Sequence, residues 1–150
     1  MNGAGDTRAA IGLNLLLFSV GGVAFGVDAE QVEATLSWEG AERDDVTWFH
    51  RELEYSGGAV AYRAPSVLVI RTGDSRDYRV VIDMMEDVAG ITSDDIHPFP
   101  PLVEPFALRK GLWGIMARGG RIILLVDFQR LLRERRDADA HGEVAKDGIA

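Results

Sequence analysis

The apolar positions of this chain fall in short runs separated by glycine turns and polar stretches. The first two runs are Leu15-Leu16-Leu17-Phe18-Ser19-Val20 and Val23-Ala24-Phe25-Gly26-Val27, joined by Gly21-Gly22. Glycine tolerates the positive φ that tight hairpin turns require, so this pattern predicts a hairpin over about Leu13 to Val27. Asp28 is then placed to cap a short helix over Ala29 to Leu36, with Val32 and Leu36 four apart on one face.

From Ser37 to Asp45 the chain turns polar and acidic and reads as a loop. Val46 to Leu53, which carries Trp48 and Phe49, fits either a short strand or a single helical turn. Glu54 to Arg63 reads as a second hairpin or bulged pair around Gly57-Gly58, with Tyr55 on one side and Val60 and Tyr62 on the other. Val67 to Arg71 and Tyr78 to Met84 are strands flanking a turn at Gly73-Asp74. In the second of them Tyr78, Val80 and Ile82 alternate with Arg79, Val81 and Asp83. Met85 to Gly90 continues as strand or bulge, and Thr92 to Ile96 as a helical turn or loop. Pro98-Phe99-Pro100-Pro101 lacks the donors a helix or central strand needs, which predicts an extended path to about Pro105. Trp113 to Arg118 and Arg121 to Val126 pair across Gly119-Gly120, and Asp127 caps a short helix from Phe128 to about Arg133.

The sum is about seven or more short strands with small helices attached, a mainly β fold of barrel or sandwich type. No long helix separates the strands, which argues against a parallel βαβ sheet. Residues 1–12 read as a disordered N-terminus, 13–133 as one domain and 134–150 as a charged, disordered tail. A chain of 150 residues buries roughly two-thirds of its extended surface.

The net charge of -8 argues against nucleic acid and against docking on anionic lipid. The chain has no cysteine, hence no disulfide and no thiolate chemistry, in keeping with a cytoplasmic home. The apolar stretch Ile11 to Val27 is shorter than the ~20 residues of a membrane span and is broken by Asn14, Ser19 and glycines. It also makes a poor signal peptide, because Asp6 offsets Arg8 and no clear cleavage site follows. Direct membrane insertion is therefore not expected.

Candidate chemistry is sparse. His50, His97 and His141 are far apart and share no ligand spacing. Asp44-Asp45 and Asp94-Asp95 lack the alternating oxygen ligands of a calcium loop. No serine sits in a nucleophile elbow, and neither Gly57-Gly58 nor Gly119-Gly120 has the flanking residues of a phosphate cradle. The expectation is a protein with no catalytic residue, no metal and no cofactor. Trp38, Trp48 and Trp113 fit core positions or interface anchors, and Trp48-Phe49-His50 after the acidic loop would make an exposed aromatic patch.

Three ordered segments carry a family resemblance. They are Leu17-Phe18-Ser19-Val20-Gly21-Gly22-Val23-Ala24-Phe25-Gly26-Val27-Asp28 with the following Val32, then Val80-Val81-Ile82-Asp83 with Val88, Ile91, Ile96 and Pro98, then Gly114-Ile115 through Arg121 to Asp127 with Leu131-Leu132. Over about Leu13 to Leu132 the chain resembles CheW, the chemotaxis coupling protein family. The resemblance implies two packed small SH3-like β-barrels with short helices and no enzymatic activity. It implies an adaptor, cytoplasmic and recruited to membrane receptor arrays. Its partners would be a CheA-like histidine kinase regulatory domain and a chemoreceptor cytoplasmic tip.

The chain also departs from the family. Where such chains carry an Asn-Leu-Arg-Gly turn, Ser56 stands in place of the arginine before Gly57, and Met116 occupies a position that is commonly glycine. The missing arginine turn and the Trp48-Phe49 pair also fit a self-associating scaffold that has lost the usual contacts. The residues expected to meet partners are Val32 and Leu36 on the first helix, Trp48 and Phe49 in the aromatic patch, Tyr55, Ser56 and Gly57 in the altered turn, and Met116.

Overall fold

The computed structural model describes residues 11–40, 46–54, 60–73 and 78–133. The expected terminal tails, 1–10 and 134–150, lie outside them. Ile11 and Gly12 do not belong to a tail: β1 begins at Gly12, and the Ile11 amide donates to Ser93 Oγ at 3.2 Å.

Strands β1 (Gly12–Val20) and β2 (Val23–Asp28) form the expected hairpin, with Gly21 and Gly22 at φ 61 and 81. Both central residues at positive φ make the turn type whose twist matches its flanking strands. The further strands are β3 (Val32–Ser37), β4 (Val46–Trp48), β5 (Ser66–Ile70), β6 (Tyr78–Ile82), β7 (Val88–Thr92), β8 (Leu112–Arg118) and β9 (Arg121–Val126). Two short helices join them, α1 (Phe49–Glu52) and α2 (Glu104–Arg109), and a helical segment occupies 128–133. The strands build two sheets, one in the order β7-β1-β2-β9-β8 and one in the order β3-β5-β6-β4. Most neighbours are antiparallel, but β2 runs parallel to β9 and β4 parallel to β6.

Side chains alternate across a strand, so one strand can feed two cores. On β1, Leu16, Phe18 and Val20 join the main core, which also holds Phe25, Val27, Leu68, Ile70, Val80, Ile82, Val126 and Phe128. Leu15 and Leu17 point the other way, into a second core with Ala24, Met116, Ile123 and Leu125. The main core therefore lies between the two sheets, and the second is enclosed by the larger sheet. Gly26 sits where that second core leaves no room. A Cβ there would meet Leu125 Cδ2 and Leu17 Cδ2 at 3.3 Å and Ile123 Cγ2 at 3.4 Å.

Three expectations need correction. Ala29 to Leu36 is not a helix: Asp28 accepts from the Glu30 amide at 3.0 Å to cap a single 3-10 turn, Ala29–Gln31, and the chain then enters β3 and pairs with β5. A spacing of four, as between Val32 and Leu36, fits the period of a strand as well as that of a helix. The ladder to Val67–Ile70 decided between them. The second hairpin falls largely on 55–59, outside the described residues, and its described limb, 60–63, belongs to no strand. The stretch expected to stay extended from Pro98 to Pro105 is irregular only to Pro100, then turns at 101–103 and enters α2 at Glu104. Pro105 stands in the first turn, where a missing N–H leaves no helical bond unmade.

The strandless limb is held by Asp83. This carboxylate, buried at the end of β6, accepts from the Arg63 amide with both oxygens at 3.0 Å and from the Ala64 amide at 2.6 Å. Removing it strands two backbone donors, which costs about 1–3 kcal/mol. Asp83→Ala should lower the unfolding free energy measured in urea by that amount, moving the midpoint down with the slope of the transition unchanged.

Candidate docking surface

The smaller sheet ends in two edge strands, β3 and β4, which face each other across a cleft of about 500 Å³. Leu36, Ser37, Trp38 and Glu39 line one side, Val46 the other, and Val67 and Arg79 the floor. Leu36 is 40% exposed at the rim. An edge with an open apolar rim offers a partner both side-chain contact and unpaired backbone groups.

Beside the cleft lies an aromatic cluster. The Trp48 ring meets Trp38 edge-on at 5.3 Å and Tyr62 at 4.8 Å. The Tyr62 hydroxyl accepts from the His50 amide at 3.2 Å and lies 3.0 Å from His50 Nδ1. Burial pushes the Tyr62 phenol up to about 12. Burial, and then the neighbouring Arg51 cation, hold the His50 imidazole below its ordinary value.

The residues expected to meet partners do not form one patch. Trp48 is half-buried with one side in the aromatic cluster, and Leu36 lies at the cleft. Val32, half-buried, packs against the main core and shares its strand with Leu36. Tyr55, Ser56 and Gly57 lie outside the described residues. Phe49 and Met116 are corrected: neither is on the surface. Phe49 is fully buried, with its ring against Phe18 at 5.0 Å, Phe25 at 4.7 Å and Phe128 at 5.8 Å. The helical turn of α1 reverses its direction relative to Trp48, so adjacent aromatics part between surface and interior. Met116 sits in the second core, where alternation along β8 directs it inward.

Other exposed apolar groups were not anticipated. Leu102 at 87% and Phe106 at 62% exposure stand with Val103 on the approach to α2, where the Arg109 guanidinium lies 4.9 Å from the Phe106 ring centre. Met84, Met85 and Val88 form another group between β6 and β7. The signal for the first was the apolar Leu102-Val103 directly after the prolines, where no strand or helix was expected to bury it. Among the described residues no three His, Asp or Glu side chains converge as a metal set, and no helix is long and apolar enough to cross a membrane.

Two sheets that share a central apolar core, with apolar groups on edges and short helices, define a mainly β module built for contact. No protein-family model matches the chain. It is 24% identical over 145 residues to the chemotaxis protein CheW of Klebsiella aerogenes, covering 86% of this chain and 85% of that protein. Its fold matches the scaffolding protein TtCheW from Thermoanaerobacter tengcongensis with a TM-score of 0.60 at 14% identity, over 81% of this chain and 92% of that one. The chain is thus similar to CheW in sequence and shares the fold of TtCheW.

The split between Phe49 and Leu36 is measurable. Phe49→Ala should cost about 3–5 kcal/mol of stability in urea, the usual range for a buried phenylalanine. Leu36→Ala should change it by no more than about 0.5 kcal/mol, as for a surface site.

Proposed function

We propose that this protein is a non-enzymatic adaptor of a chemotaxis-type signalling complex, coupling a chemoreceptor cytoplasmic tip to the regulatory domain of a CheA-like histidine kinase. The observation that carries the reading is the likeness to a chemotaxis protein over 86% of the chain, together with the fold of a scaffolding protein. The surface supports it. Apolar side chains are exposed at the β3–β4 cleft, at 84–88 and at 102–106, on three different stretches of the chain. An adaptor needs no more than this: apolar contact area with a polar rim, on a scaffold that does not rearrange. The protein would act in the cytoplasm and reach membrane receptor arrays through its partners.

The exposed Leu102, Val103 and Phe106 favour a second reading, a scaffold that associates with copies of itself. Sedimentation of the purified chain at rising concentration separates the two. The scaffold reading expects mass to increase with concentration, and a monomer throughout would exclude it.

For the adaptor, titration calorimetry against the kinase regulatory domain and a receptor-tip peptide from the same genome should give micromolar-class affinity. Leu36→Glu places a charge on the apolar cleft rim and should weaken one of the two at least tenfold, about 1.4 kcal/mol, while leaving the melting transition in place. Absence of binding to both partners would refute the proposal.

A further inference from the structure

Trp48, His50 and Tyr62 come from two stretches of chain that no sheet ladder joins. Trp48 ends β4 and His50 belongs to α1, whereas Tyr62 lies in the strandless stretch that Asp83 pins at its other end. Tyr62 packs against the main core and reaches this cluster through its ring and hydroxyl: the hydroxyl accepts from the His50 amide at 3.2 Å and from the Phe49 amide and lies 3.0 Å from Nδ1, and the ring meets Trp48 at 4.8 Å and 81°.

The protons around that hydroxyl set a condition. A phenol has one proton to give, and Nδ1 can take it only while that nitrogen carries a lone pair. With a neutral imidazole that carries its proton on Nε2 every group is matched: the amide donates to the phenol oxygen, and the phenol donates to Nδ1. With an imidazolium, Nδ1 becomes a donor aimed at an oxygen that already accepts the His50 and Phe49 amides, and the phenol proton loses its acceptor. Among the described residues the charges that act on the pair are Arg51 on α1 and Asp83 at the end of β6. Arg51 acts on both rings and Asp83 on Tyr62.

We propose that Trp48, His50 and Tyr62 form a proton-operated clamp, which ties α1 and β4 to the 60–64 stretch while His50 is neutral and opens when the imidazole is protonated, exposing Trp48. The titration behaviour has the matching sign. Burial and Arg51 lower the His50 value from 6.5, so the folded chain binds fewer protons than the unfolded one just below that pH. The clamp's contribution is complete above 6.5 and is lost as pH falls through the lowered value. On the alkaline side the phenol keeps its proton to about 12, so the clamp's donor is present throughout the neutral range.

The test uses the full chain carrying Trp113→Phe, which leaves Trp38 and Trp48 as the emitters. Emission is followed from about pH 8 to about pH 5, the range where histidine titrates. The clamp requires a step in emission with a midpoint below 6.5, absent in His50→Gln and moved upward in Tyr62→Phe, which deletes the phenol proton. Flat emission, or a step that survives in His50→Gln, would overturn it. The unsubstituted chain supplies an independent check by proton NMR, with the His50 ring resonance assigned from its loss in His50→Gln. A midpoint below 6.5 with accompanying shifts in the Tyr62 ring supports the clamp, and a midpoint at or above 6.5 overturns it.

Discussion

Strands β1, β2 and β9 form a wall with a hydrophobic core on each side, and the rest of the molecule is arranged around that double burial. Each fully buried Leu, Ile, Val or Phe contributes roughly 1.5–3 kcal/mol relative to exposure, so a strand that buries both faces gathers twice what a one-sided strand can. The condition is that neither face carries an unmatched polar group or surplus volume. Gly26 shows the volume limit, since a methyl there would press on three side chains of the second core. The smaller sheet has its place because it covers the main core with Leu68, Ile70, Val80 and Ile82, and the helical segment at 128–133 closes the same core with Phe128 and Leu131.

Where the ladders stop, side chains take over the pairing of backbone groups, because buried amides and carbonyls must be matched. Gln31 is the joint between the two sheets. Its amide nitrogen donates to Asp127 Oδ1 at 2.9 Å and its amide oxygen accepts from the Phe128 N–H at 3.0 Å, while its backbone carbonyl accepts from Arg71 at 2.8 Å. Asp127 also caps the final helical segment through the Arg130 amide at 3.1 Å. Asp83 does the same work at the opposite end of the smaller sheet. Together these two polar ties hold the loops from which the edge strands and the aromatic cluster project.

The surface is what the wall does not use. Leu36, Met84, Met85, Val88, Leu102 and Phe106 lie on an edge, a connection or a short helix, away from both cores. They are apolar side chains that the two cores leave exposed.

The strands of the wall were legible in the chain because their cause is local: continuous apolar runs, Gly21-Gly22 and Gly119-Gly120 turns, and Asp28 and Asp127 at the caps. The absence of long helices and the order of the three matching segments were equally open to reading, and they led to the double-barrel fold. What followed Asp28 was not, because Val32 and Leu36 suit either period and only pairing with β5, more than thirty residues on, selects the strand. Trp48 and Phe49 show the same limit at the docking surface. Two adjacent aromatics look alike along the chain, yet one ring faces the aromatic cluster while the other fills the space between Phe18, Phe25 and Phe128. Local propensity is a property of neighbours in sequence. Which apolar side chain is left for a partner depends on how the remaining ones fill the two cores, and that is settled only when distant strands meet.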